Sequence, residues 1–244
     1  MNWSTKWEKF FSTMESEYFQ NLLLKGLLNT VQVAVFGLII GIFIGTIIAI
    51  VKVAPKYRRS VRVLDNICSA YVALFRGTPM TVQLLLAYYV LLPSLGVKNV
   101  ESLTVGIIVF GMNSGAYVSE IMRGGINSVD KGQMEAGRAM GLSYAVTMIK
   151  IVIPQAIKNI LPTLGNEFIT LIKETSVLSF ITVYDLYTAL STIGSKNYEK
   201  MVPYLVMAVI YIVLVLLITL LVRLMEMALA KSDKNAPKNS KKSV

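Results

Sequence analysis

The sequence predicts an all-α, polytopic membrane bundle of five transmembrane helices, with the N-terminus outside and the C-terminus inside. Three observations predict it. Of 244 residues, 55% are apolar and 16% charged, which leaves too little polar surface to cover a soluble domain. Four charge-free runs, Gly26 to Val51, Gly77 to Val97, Ser102 to Ser119 and Met201 to Val222, are long enough as helices to cross about 30 Å of hydrocarbon. The basic residues, finally, are not spread along the chain but collect between particular runs, where they report topology.

The same numbers narrow the chemistry. A net charge of +10 in a soluble protein would suggest nucleic acid; here its placement reads as membrane orientation, with no nucleic acid implied. There is no histidine and one cysteine, Cys68, which removes disulfides, histidine catalysis and zinc-finger sites from a single chain. No glycine loop ending in Lys and Ser or Thr occurs, so nucleotide chemistry falls to a partner.

Residues 1–20 do not read as a signal peptide, since they lack a basic start, an apolar core and a small-residue cleavage site. Trp3, Trp7, Phe10, Met14 and Tyr18 recur at helical spacing, as in an amphipathic helix lying in the outer interface. The first span carries Gly37, Gly41 and Gly45 on one face, so another helix can approach closely, within the protomer or from a second one. The basic cluster from Lys52 to Arg62 follows inside. Thr78 and Pro79 suit the start of a helix, which places the beginning of the second span at the inner surface, Arg76 snorkelling to headgroups, and residues 61–75 as an interfacial helix.

After the third span come Arg123, Lys131, Arg138, Lys150 and Lys158, and after the last Arg223 and the lysines from Lys231. Both clusters belong inside only if the stretch from Gln155 to Tyr187 also crosses, despite Glu167, Lys173, Glu174, Asp185 and a potential kink at Pro162. The transmembrane domain then covers residues 21–230, and residues 231–244 read as a disordered basic tail on the inner side.

The inner stretch over residues 130–153 contains two short helices. Asp130 suits an N-cap with Gln133 as its capping-box partner, and Gly141 suits a left-handed end to the first helix. Ser143 suits the cap of a second, running to Ile153 before Pro154 enters the membrane. Small residues Ala136, Gly137 and Ala139 would let a partner's groove close around the first helix, with Glu135 and Arg138 for polar contacts; an ordinary solvated loop fits the periodicity equally.

Glu135, Ala136, Gly137, then Gly141, then Ile151 to Pro154 resemble the EAA motif of ATP-binding cassette (ABC) importer permeases. Gly137 stands for the third-position Ala and Ile153 for Leu. Leu74 to Leu86, Asn113 to Ile126 and Leu161 to Leu178 resemble segments of the polar amino acid permeases, of the histidine, glutamine and arginine type. The resemblance implies a type I importer-like permease in the bacterial plasma (inner) membrane. It implies a second permease copy or paralogue, two ABC ATPase subunits that bind ATP and Mg, and an extracytoplasmic amino acid-binding protein. This chain would be non-catalytic and hold no cofactor or metal of its own. Glu135, Ala136, Gly137, Arg138, Gly141, Ile151 and Pro154 would couple it to the ATPase.

Polar residues at membrane depth suggest a path for an amino acid substrate. Asn166, Thr170 and Lys173 share one strip, Glu167 and Glu174 an adjacent one, Asn113, Tyr117 and Glu120 repeat the spacing, and Gln83 lies one turn beyond Pro79. Asn113, Tyr117, Asn166, Glu167, Thr170 and Gln83 are the candidate pathway residues. The opposing reading satisfies Glu167 and Lys173 within the bundle and pairs Glu120 with Arg123. Two further functions are open: an ion-coupled secondary transporter of small polar solutes, against which stands the lack of an internal repeat, and a scaffold that only recruits a partner.

Overall fold

A 37-residue helix, α2 (Glu17–Val53), is the axis of the bundle; at 1.5 Å per residue it is about 55 Å long. The computed structural model describes residues 2–234, with side chains through residue 228. Before α2 stands α1 (Trp3–Met14); after it come α3 (Arg59–Gly77), α4 (Met80–Ser94), α5 (Ser102–Asn127), α6 (Lys131–Ala139), α7 (Tyr144–Ile181), α8 (Leu186–Lys196) and α9 (Met201–Lys234). There is no strand among the described residues.

Four helices, α2, α5, α7 and α9, are long and apolar enough to cross a membrane, and α4 is a shorter apolar helix; register between them gives their relative directions. A Cβ placed on Gly37 would meet Phe110, on Gly41 Ser114, and on Gly45 Val118. The numbers rise together, so α2 and α5 run in the same direction, and the chain between them makes one return crossing. Gly125 faces Ile160 while Gly106 faces Leu178, so α7 runs against α5. Gly165 faces Val222, so α9 packs closely on α7. The glycine face of α2 is therefore occupied within the protomer, where the missing side chains let the α5 backbone come close.

The return crossing is where the structure departs most from expectation. Helix α3 is not an interfacial element: Ile48 of α2, Val72 of α3 and Ala116 of α5 form one buried cluster, joined by Ile44, Tyr71 and Phe75. Tyr71 Oη donates to Met112 O at 2.5 Å. Helix α3 thus climbs beside α2 and α5 to the depth of Asn113, and α4 finishes the crossing, with Leu84 in the central core beside Val33, Val109 and Phe110. Asn113 lies about 16 Å along α5 from Ser102, so the break between Gly77 and Met80 sits at mid-depth and Arg76 is not at the inner surface.

The fourth crossing is also displaced along the chain. Helix α7 starts at Tyr144, not after Pro154, because a π-turn at Met148–Val152 absorbs the proline, whose missing N–H would otherwise break the ladder. It ends at Ile181 rather than Tyr187. Asp185 then caps α8 by accepting from Thr188 N at 2.9 Å and Tyr187 N at 3.2 Å, a helix the sequence analysis had absorbed into the span. Helix α8 closes the end away from α6: Phe10, Phe19, Leu190, Ile193 and Val202 form a second core there. Helix α1 is pinned to that end by the Lys6–Glu199 pair at 2.6 Å and by Asn197 Nδ2 donating to Lys9 O; the Lys6 ammonium holds the Glu199 carboxyl below the usual carboxylate range. Of the aromatics expected on one N-terminal helix, Trp3 in α1 and Tyr18, which falls in α2, stay exposed while Phe10 is buried. Residues 231–234, placed in the tail by composition, continue α9; the remaining tail lies outside the described residues.

Candidate functional site

Two places combine exposure with polar groups that the bundle does not need: the helix break at mid-depth and the corner between α6 and α7. At the break, side chains serve the carbonyls of Leu74, Phe75 and Thr78. Thr78 Oγ1 donates to Leu74 O at 2.8 Å, and Gln83 Nε2 donates to Phe75 O, Thr78 O and Thr78 Oγ1 at 2.8, 3.0 and 2.9 Å. Asn113 Nδ2 donates in turn to Gln83 Oε1 at 2.9 Å. Irregular backbone at membrane depth persists only when such partners satisfy it. Asn113, 5% exposed, and Gln83 therefore have their polar groups engaged in holding the break open.

That engagement predicts a stability effect. Gln83→Leu keeps the volume but strands the Thr78 carbonyl, at about 1–3 kcal/mol, and leaves Phe75 O only the long 3.5 Å bond from Asn113 Nδ2. The variant should lose heat resistance in detergent, measured by size-exclusion recovery, whereas Thr170→Val, on an exposed position, should not.

Arg76, at the end of α3, is exposed and lies over the Tyr117 ring, 5.3 Å from its centroid, a cation–π arrangement. It has no carboxylate partner among the described residues. Ser114 Oγ donates to Glu167 Oε1 at 2.9 Å, which levels that turn of α7 with Asn113 and hence with the break. Glu167 itself is 8% exposed and turned into the bundle, while Asn166, Thr170 and Lys173 form an exposed polar strip. Arg76 and Tyr117 thus meet at the break, while Asn166 and Thr170 are exposed on α7. Arg76, expected to snorkel to headgroups at the inner surface, instead stands at the break; a charged residue beside a glycine, a threonine and a proline in an apolar region reads the same in either place.

Toward the α6 end, Glu120 pairs with Arg123 as anticipated, at 2.6 Å, and also with Lys52 of α2 at 2.9 Å.

The corner is built from local signals. Asp130 caps α6, its Oδ1 accepting from Gly132 N at 2.7 Å. No capping box forms with Gln133, whose Oε1 instead accepts from Gln155 of α7 at 3.3 Å. Gly141 has φ +82°, and the chain reverses there with Leu142 N donating to Gly137 O at 3.1 Å and Gly141 N to Arg138 O at 3.0 Å, a Schellman ending. Ser143 caps α7 by accepting from Val146 N. Glu135, Ala136, Arg138 and Gly141 are exposed, Gly137 is buried, and a Cβ there would meet Thr147 Cγ2 at 2.5 Å. Gly137 therefore serves the crossing of α6 on α7. Ile151 is half-buried in the π-turn and Pro154 exposed one turn further on. Met140, 83% exposed at the tip, adds an apolar knob that the helical spacing does not single out.

Residues 32–231 match the family model of binding-protein-dependent transport system inner membrane components. A protein of Rickettsia prowazekii (strain Madrid E), provisionally named a glutamine transport system permease protein, is 39% identical over 195 residues, 79% of this chain and 86% of the relative. The arginine transport system permease protein of Bacillus subtilis (strain 168) is 36% identical over 78% of this chain and 84% of its own length. Among solved structures, an amino acid ABC transporter crystallised with histidines superposes with a TM-score of 0.81 at 39% identity, over 90% of this chain and 98% of that one.

Proposed function

The chain belongs to the family of binding-protein-dependent transport system inner membrane components, the permease subunits of amino acid ABC importers among them, and on that footing we propose that solute passes beside Arg76 at the helix break. It is a multi-pass membrane protein and a transport subunit. The reading supported best is a permease of an amino acid ABC importer in a bacterial inner membrane, working with a second permease subunit, two ATPase subunits and an extracytoplasmic binding protein. ATP and Mg belong to the ATPase subunits, so this chain's task is mechanical.

One observation carries the solute path: an arginine without a carboxylate partner, at mid-depth, on the surface the protomer leaves open. A cation at membrane depth is costly unless paired, and an amino acid's α-carboxylate supplies the missing partner through two parallel hydrogen bonds. Tyr117 holds the guanidinium plane, and Asn166 and Thr170, at the same depth on α7, offer hydrogen bonds to the rest of the solute. The corner around Gly141, with Glu135, Ala136, Arg138 and Met140 exposed, is the surface offered to the ATPase. The basic residues Lys52, Arg58, Arg59, Arg123, Lys131 and Lys150 lie at its end of the bundle, as expected of a cytoplasmic face.

Uptake by proteoliposomes holding the permease, ATPase and binding protein tests this. Arg76→Gln should lower uptake at least tenfold, while the ATPase still copurifies. Unchanged uptake removes Arg76 from the path, and ion-driven uptake by the permease alone would replace the importer reading with secondary transport.

A further inference from the structure

We propose that the Tyr144 hydroxyl is a positioning group that couples the α6–α7 corner to α2, resting on the importer reading above. Tyr144 is the first residue of α7, and its Oη donates to Val53 O at 3.3 Å. Val53 ends α2. A helix leaves its last four carbonyls without intrahelical partners; the Ala54 N–H serves Ile50 O, and Tyr144 reaches across to serve the last one. Lys52, one residue earlier, pairs with Glu120 of α5. The final turn of α2 is thus fastened to α5 by an ion pair and to the corner by one hydroxyl.

The surroundings give this bond leverage. On one side of Tyr144 lies a hollow of about 640 Å³ lined by Val53, Asn127, Asp130, Met134 and Met148. A second hollow, of about 300 Å³, lies among Ile50, Pro55, Ala145 and Ile149, and Tyr144 lines both. Close-packed interiors resist displacement; a ring with open space beside it can swing when the corner moves. Downstream, α7 carries on from the corner through its π-turn to Ile181, and Gly137 sits directly on Thr147. A push on α6 therefore moves α7 through helix continuity. It moves α2 through Tyr144, whose hydrogen bond is a contact present in one packed state and lost in another, as a two-state shift requires.

The test is Tyr144→Phe, which keeps the ring and removes the donor, in the full complex of permease, ATPase and binding protein in proteoliposomes. A net hydrogen bond of about 0.5–1.5 kcal/mol corresponds to a two- to tenfold change in a two-state equilibrium. The solute moved per ATP hydrolysed should fall two- to tenfold, with the KM for ATP and the yield of complex unchanged. An unchanged ratio overturns the proposal. So does a lower yield of complex whose surviving fraction transports at the wild-type ratio, since that marks a merely structural tyrosine. Wild-type complex run in parallel tests the importer reading separately: uptake without ATP would overturn that reading and this inference together.

Discussion

Gly45→Leu is expected to lower the heat resistance of the folded permease sharply. A Cβ at Gly45 would lie 2.7 Å from Val118 Cγ1 and 2.8 Å from Ser119 N. The first is the end of a short β-branched side chain and the second is backbone, so neither can give way. Relief requires α2 and α5 to part, which also pulls Lys52 from Glu120 and exposes a polar group in lipid. Overpacking of a tight contact costs about 1–3 kcal/mol, and the lost ion pair brings this case to the upper end. Size-exclusion recovery after heating in detergent measures it. Gly124→Ala is the control, because nothing lies within 4 Å of a Cβ there; equal recovery for the two variants would show that the glycine face is not what holds α2 against α5.

Gly141→Val should abolish uptake by a mechanism with no clash in it. No heavy atom lies within 4 Å of a Cβ at Gly141, yet its φ is +82°. In that region an L side chain costs about 1–2 kcal/mol, more for a β-branched residue, whereas Asn tolerates it. Valine should force the backbone out of the left-handed turn, break the Leu142–Gly137 and Gly141–Arg138 bonds, and re-aim Met140 and Arg138 away from the ATPase. Uptake should fall more than tenfold for Gly141→Val and less than about threefold for Gly141→Asn, with equal permease in the membrane for both. Copurification of the ATPase gives the second readout. Equal losses for valine and asparagine would mean that the space at Gly141, not its backbone, is what the partner needs.

The residues differ in how far they can be read without neighbours. Gly141 was legible because a left-handed turn is a property of one residue and the hydrogen bonds beside it. The spacing from Glu135 to Pro154 was legible as a pattern, and so were Asp130 and Ser143 as caps. Gln133 was not: a capping box and a bond to Gln155 use the same amide, and only packing of α6 on α7 chooses. Asn113 and Gln83 read as pathway residues because polarity at membrane depth does not say whether a group is spent inside the bundle. Asn166 and Glu167 are adjacent in sequence, yet one faces out and the other meets Ser114.

By itself the sequence determined that the chain is a helical membrane protein and that the chain turns sharply at Gly141. Hydropathy, charge and turn chemistry act over one residue or one span, so each is written locally. Only the tertiary structure decided that Thr78 and Pro79 open a helix at mid-depth rather than at a surface, that Pro154 lies within α7, that the α2 glycines receive α5, and that Arg76 stands beside Tyr117. Each of those depends on hydrogen bonds or contacts between residues distant in the chain, and a helix start looks the same from sequence whether water or Gln83 satisfies the carbonyls before it.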